Sequence, residues 1–90
     1  MSPSFDFAGR VVVVTGGAKG IGKGIAEAFL EAGATVVTCG RRPPEALPAA
    51  AGREAEFVVC DVRDATAVDA FFAEVVARHG RLDALVNNAG

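Results

Sequence analysis

A chain of 90 residues, 51% of them apolar and 11 of them glycine, suits one small α/β core and is too apolar for disorder. Its net charge of −2 gives no electrostatic footprint for nucleic acid or an anionic membrane. Met1 to Ala8 carry no basic and apolar leader, and no apolar run is long enough to span a bilayer, so the cytoplasm is the expected location.

Met1 to Gly9 read as a polar lead-in, with Phe5 and Phe7 placed to pack it onto the domain. The unbroken β-branched run Val11 to Val14 predicts a strand buried on both faces. Thr15 ends it, and a turn rich in glycine follows, with Gly16, Gly20 and Gly22. Ile21, Ile25 and Phe29 recur every four residues, which predicts a helix over 21–32 with Ile21, Ile25, Ala28, Phe29 and Ala32 on its apolar face. Gly33 stands where a left-handed helix stop is expected.

Thr35 to Cys39 predict a second strand, closed by Gly40, Arg41 and Arg42. The stretch from Glu45 to Glu54 is rich in alanine and broken by Pro48 and Gly52, and reads as a loop with one helical turn. Glu56 to Cys60 form a third strand that ends at Asp61. Asp64 can cap the next helix, which carries Val68, Phe71, Phe72, Val75 and Val76 inward and stops at Gly80. Leu82 to Val86 form a fourth strand, followed by Asn87, Asn88, Ala89 and Gly90. Cys39 and Cys60 fall in strands without motif spacing and read as reduced core residues. His79, in the last turn of its helix, reads as surface structure.

The order strand, glycine-rich turn, helix aims the free N–H groups of the helix start, and the positive end of its dipole, at one point. An anion belongs there, and a phosphate can approach a glycine backbone closely. Two designs compete. A P-loop needs G-x-x-x-x-G-K followed by Ser or Thr; Gly17, Gly22 and Lys23 fit that frame, but Gly24 follows. Phe57 to Asp61 would then be the acid-bearing strand. The second design is a dinucleotide fold. Parallel strands joined by crossovers give an open sheet whose ligands lie outside the carboxyl ends of the strands. Thr15 to Gly22, Arg41, Asp61 and Asn88 all lie just past such ends.

Three motifs taken together, Thr15-Gly16-Gly17-Ala18-Lys19-Gly20-Ile21-Gly22, Asp61-Val62 and Asn87-Asn88-Ala89-Gly90, resemble the cofactor half of a short-chain dehydrogenase/reductase. The resemblance covers nearly the whole chain. It implies a Rossmann-like, doubly wound parallel sheet of the α/β class, with residues 1–90 as the amino-terminal part of one NAD(P)-binding domain and the catalytic part outside this chain. It also implies that Gly16, Gly17, Ala18, Lys19, Gly20, Ile21 and Gly22 cradle a pyrophosphate. Asp61 accepts from the adenine amino group, and the Val62 backbone meets the ring. Asn88, Ala89 and Gly90 line the cofactor near the ribose, while Asn87 ties the fourth strand to its neighbours. As plain residues, Asp61 would cap a turn with Asp64, and the asparagines would be ordinary turn formers.

The choice of cofactor follows from chemistry at the second strand. A dinucleotide fold selective for NAD places an acid there for the ribose 2′-hydroxyl, and one that binds NADP replaces it with a base. Arg41 and Arg42 stand there with no acid before Glu45, and Lys19 adds a third cation. NADP(H) is therefore expected over NAD(H). The family's proton chemistry uses a Ser and a Tyr-x-x-x-Lys pair, yet this chain has no tyrosine, and its only lysines are Lys19 and Lys23. The sequence thus predicts an amino-terminal portion of an oxidoreductase acting on a small carbonyl or alcohol. The resemblance implies a homo-oligomer. A non-catalytic dinucleotide-binding or redox-sensing module is the alternative.

Overall fold

The computed structural model describes residues 6–16 and 19–88. Its elements run β1 (Val11–Thr15), α1 (Gly20–Glu31), β2 (Thr35–Gly40), β3 (Ala49–Ala50), β4 (Arg53–Glu54), β5 (Glu56–Val59), α2 (Ala65–His79) and β6 (Ala84–Asn87). Four of the strands form one parallel sheet in the order β5-β2-β1-β6. Val13 of β1 lies between Val37 of β2 and Leu85 of β6. The parallel doubly wound expectation holds, with β5 and β6 outermost among the described strands.

The valine run explains the layering. Alternate residues of a strand face opposite ways, and here both faces are covered. Val11, Val13, Val37 and Cys39 meet Phe71 and Val75 of α2 on one side. Val12, Val14 and Val36 meet Ala26 and Leu30 of α1 on the other. Val12, Val13 and Val14 are wholly buried, and each such side chain removed from water contributes about 1.5–3 kcal/mol.

Side chains and glycines fix the ends of the elements. Asp64 Oδ1 accepts from the backbone N–H groups of Thr66 and Ala67 at 3.0 and 3.3 Å, capping α2. At its other end Gly80 adopts φ 80° and donates to the Val76 carbonyl. Asp83 sets β6 against β1: its backbone N–H donates to the Val11 carbonyl at 2.9 Å, and its Oδ2 accepts from the Val11 N–H at 2.8 Å. Arg81 holds the same carboxylate through two bonds of 2.8 and 2.7 Å. Phe7 packs edge-on against Phe29 with ring centres 5.2 Å apart, as the lead-in predicts; Phe5 lies outside the described residues.

Four expectations need correction. The buried side of α1 is Gly22, Ala26 and Leu30, with Ile25 and Phe29 flanking; Ile21 is 79% exposed and Ala28 is exposed as well. The helix is turned so that Gly22 faces the end of β1. On α2, Val76 points outward instead of joining Phe71 and Val75. Residues 45–54 form no helical turn; β3 and β4 make an antiparallel hairpin instead. Its two turn residues, Ala51 and Gly52, both have positive φ, as a two-residue hairpin turn requires. Finally, β6 begins at Ala84, and Leu82 precedes it as a side chain packed on the α2 side of the core.

Candidate functional site

The carboxyl ends of all four parallel strands open on one edge of the sheet. At the end of β1, the Thr15 hydroxyl accepts from the Asn88 backbone N–H at 2.9 Å and donates to Asn87 Oδ1 at 3.2 Å. The Asn88 side-chain amide donates in turn to the Gly16 carbonyl at 3.4 Å. Gly16 turns the chain away with φ 65°. A side chain at Gly22 would overlap the Gly16 carbonyl oxygen and the Asn88 amide nitrogen. Only glycine allows α1 to come this close. The helix start at Lys19 has no side-chain cap, so the first N–H groups of α1 have no side-chain acceptor from its N-cap residue.

Two clefts adjoin this turn. The first, of about 430 Å³, is floored by Cys39 and Cys60 and rimmed by Gly16, Gly40, Arg41, Asp61, Val62 and Arg63. The second, of about 510 Å³, is lined by Gly16, Lys19, Gly40, Arg41 and Arg42. Gly16, Gly40 and Arg41 line both, so the clefts adjoin at the ends of β1 and β2. One offers a carboxylate beside two buried thiols. The other offers three cations.

The charges of the first cleft are set locally. Arg63 grips Asp61 in a fork, Nε to Oδ1 and Nη2 to Oδ2, both at 3.0 Å. The Arg63 backbone N–H adds a third bond to Oδ1 at 2.9 Å. These bonds, with a smaller contribution from the Arg41 charge, hold the Asp61 carboxyl down to about 2. Asp61 is therefore ionised throughout the neutral range. Below it, burial and the neighbouring Cys60 thiol push Cys39 up to about 11, and burial also raises Cys60. Both cysteines are free and buried, so the floor is two neutral thiols.

Of the residues that the sequence singles out, Gly16, Arg41, Asp61 and Val62 meet in the first cleft, and Lys19 and Arg42 join Gly16 and Arg41 in the second. Gly22 and Asn88 pack around the Gly16 carbonyl. Gly20 and Ile21 open α1 and line neither cleft. Gly17, Ala18, Ala89 and Gly90 lie outside the described residues. Arg63 was not anticipated, although an Asp-x-Arg triplet at a strand end is a signal for such a fork. Asp61 does close a turn with Asp64, whose backbone N–H donates to the Asp61 carbonyl at 3.0 Å, and the Asp61 side chain adds the bonds to Arg63 inside it. His79 has an unforeseen partner too, with Nε2 3.0 Å from Glu56 Oε1. Among the described residues no group of His, Cys, Asp and Glu has the arrangement of a metal site, and no helix is long and apolar enough to cross a membrane.

Comparison with known proteins gives the family. The short chain dehydrogenase family model matches residues 10–90. The chain belongs to the short-chain dehydrogenase family. This short-chain dehydrogenase sequence is 48% identical over 93 aligned residues to L-fucose dehydrogenase of Bos taurus, covering 100% of this chain and 34% of that protein. Its fold superposes on the Pseudomonas aeruginosa RhlG/NADP active-site complex with a TM-score of 0.83 and 37% identity, over 100% of this chain and 38% of that one. A metagenomic short-chain oxidoreductase in complex with NADP matches with a TM-score of 0.81 and 39% identity, over 93% of this chain and 40% of the other. The chain spans about a third of the length of the curated relatives it matches.

Proposed function

We propose that this chain is the cofactor-binding portion of an NADP(H)-dependent oxidoreductase that acts on a small carbonyl or alcohol. The carrying observation is the cleft where Lys19, Arg41 and Arg42 converge beside the Gly16 turn with no acid in its lining. A ribose 2′-hydroxyl offers nothing that needs three cations, whereas a 2′-phosphate does. The likeness to two solved chains described with NADP supports the same choice.

The residues fit the group. Gly22 lets α1 start close against the end of β1, and the uncapped start of that helix would take a pyrophosphate. Lys19, Arg41 and Arg42 would hold the 2′-phosphate. Asp61 would accept from the adenine amino group over the thiol floor, with the Val62 backbone beside the ring. Asn88, pinned to Thr15 and Gly16, would set the ribose side of the crevice. When bound, the cofactor supplies the hydride; the protein supplies position and electrostatics. The chain contains no tyrosine, so the residue exchanging a proton with the substrate oxygen is assigned to the remainder of the enzyme. A P-loop reading is disfavoured because Gly24 follows Lys23, where that motif needs the Ser or Thr hydroxyl that binds magnesium. The enzyme is read as a cytoplasmic homo-oligomer.

Calorimetric titration of the protein in its natural full-length form with NADP(H) and NAD(H) tests this. One charge-assisted contact that survives solvent screening gives a preference of roughly tenfold to a hundredfold. NADP(H) should bind tighter by that ratio, and the ratio should shrink at high salt. Equal affinities at low salt would overturn the assignment.

A further inference from the structure

We propose that Arg63 is a positioning residue for base recognition, holding the Asp61 carboxylate in the one orientation that accepts from the exocyclic amino group of an adenine. The proposal rests on the reading above that the Asp61 end of the clefts takes the adenine. Asp61 and Arg63 sit together on its rim, and the bonds between them are unevenly shared. Oδ1 receives two, from the Arg63 backbone N–H and from Nε; Oδ2 receives one, from Nη2. A carboxylate oxygen can accept twice, which leaves Oδ2 able to take a second donor.

The fork matters because the last torsion of an aspartate is soft and adopts a broad range of angles. Two parallel bonds to a planar guanidinium remove that freedom. The Arg63 side chain is 70% exposed, and an ion pair so exposed adds little to stability. Its effect is expected on recognition instead. Hypoxanthine carries a carbonyl oxygen where adenine carries the amino group. A fixed carboxylate oxygen would face that carbonyl acceptor to acceptor, while one free to rotate could turn aside. Arg63 would thus sharpen discrimination between the two bases through Asp61, and Lys could not replace it, because a point charge has no fork.

The experiment measures dissociation constants for NADP+ and for its hypoxanthine analogue, with the parent, Arg63→Gln and Arg63→Lys, in the full-length protein. The parent should prefer the adenine cofactor by about tenfold to a hundredfold, the worth of one hydrogen bond to a charged group. Both variants should lose most of that ratio while keeping the preference for NADP+ over NAD+, which depends on other residues. Variants that keep the parent's base ratio, or that weaken both ligands in parallel as their melting temperature falls, would show Arg63 to be a turn staple only. A parent that binds NADP+ but does not distinguish the bases would instead overturn the placing of adenine at Asp61, and the role of Arg63 with it. If Arg63→Gln does not fold, Arg63→Lys decides, since it keeps the charge and removes only the fork.

Discussion

Gly22 and Asn88 occupy a space with room for one side chain. A β-carbon at Gly22 would lie 2.5 Å from the Asn88 amide nitrogen and closer still to the Gly16 carbonyl. The contact joins the start of α1, the end of β1 and the residue after β6. It brings the start of α1 against the end of β1.

Gly22→Ala should therefore destabilise the protein by about 1–3 kcal/mol, the usual cost of overpacking, and weaken NADP(H) binding. Gly24, two residues further along α1, has nothing within 4 Å of its missing β-carbon. Gly24→Ala should stabilise by about 0.5–1 kcal/mol, the helix-interior difference between the two residues. Chemical denaturation of both variants tests the pair of signs. A stabilised Gly22→Ala would mean that α1 does not press on the strand end.

Acid should unfold the protein through Asp83. Arg81 and the Val11 N–H hold its carboxyl below the usual range. A carboxyl lowered by folding stabilises fully above its unfolded value of about 4, and that contribution is lost as pH falls through the folded value. The melting temperature should hold from neutral pH down to that value and drop below it. The drop should be shallower in Asp83→Asn, which begins from a lower midpoint. Melting curves of equal slope against pH in parent and variant would count against the role of Asp83.

The thiols of Cys39 and Cys60 should react slowly. Both are buried, and Cys39, raised to about 11, is almost wholly the unreactive thiol at neutral pH. A chromogenic disulfide reagent should label neither quickly in the folded protein and both on unfolding. Because they floor the first cleft, NADP+ should slow the reaction further. Rapid labelling of the native protein, unchanged by cofactor, would mean that this cleft is open to its floor and empty of adenine.

Much of this was legible in the residues. The Val11–Val14 run showed a strand covered on both faces, Asp64 and Gly80 marked both ends of α2, and the strand-end positions of Arg41 and Asp61 foretold that they share a crevice. The errors have physical causes. Periodicity favours large apolar residues, so Ile21 and Ala28 were placed inward, when the close approach at Gly22 decides how α1 is turned. The hairpin of β3 and β4 was missed because its strands are Ala-Ala and Arg-Glu, with no β-branched or aromatic residue to announce them. Its turn also puts Ala51, a residue with a β-carbon, at φ 56°. The pairing of His79 with Glu56 spans 23 positions and exists only once α2 has packed on the sheet. Arg63 was closer to view, two residues from Asp61, but a fork depends on the turn that brings its guanidinium back.

The most direct measurement is the ratio of dissociation constants for NADP+ and NAD+ in the parent, in Arg41→Asp and in the Arg41→Ala/Arg42→Ala double variant. Arg41 lines both clefts. An aspartate there would repel the 2′-phosphate and could accept from the free 2′-hydroxyl of NAD+. The parent should favour NADP+ by roughly tenfold to a hundredfold, the double variant should lose most of that preference, and Arg41→Asp should reverse it. A ratio that stays the same in all three proteins would contradict the assignment and leave these arginines as a solvated loop.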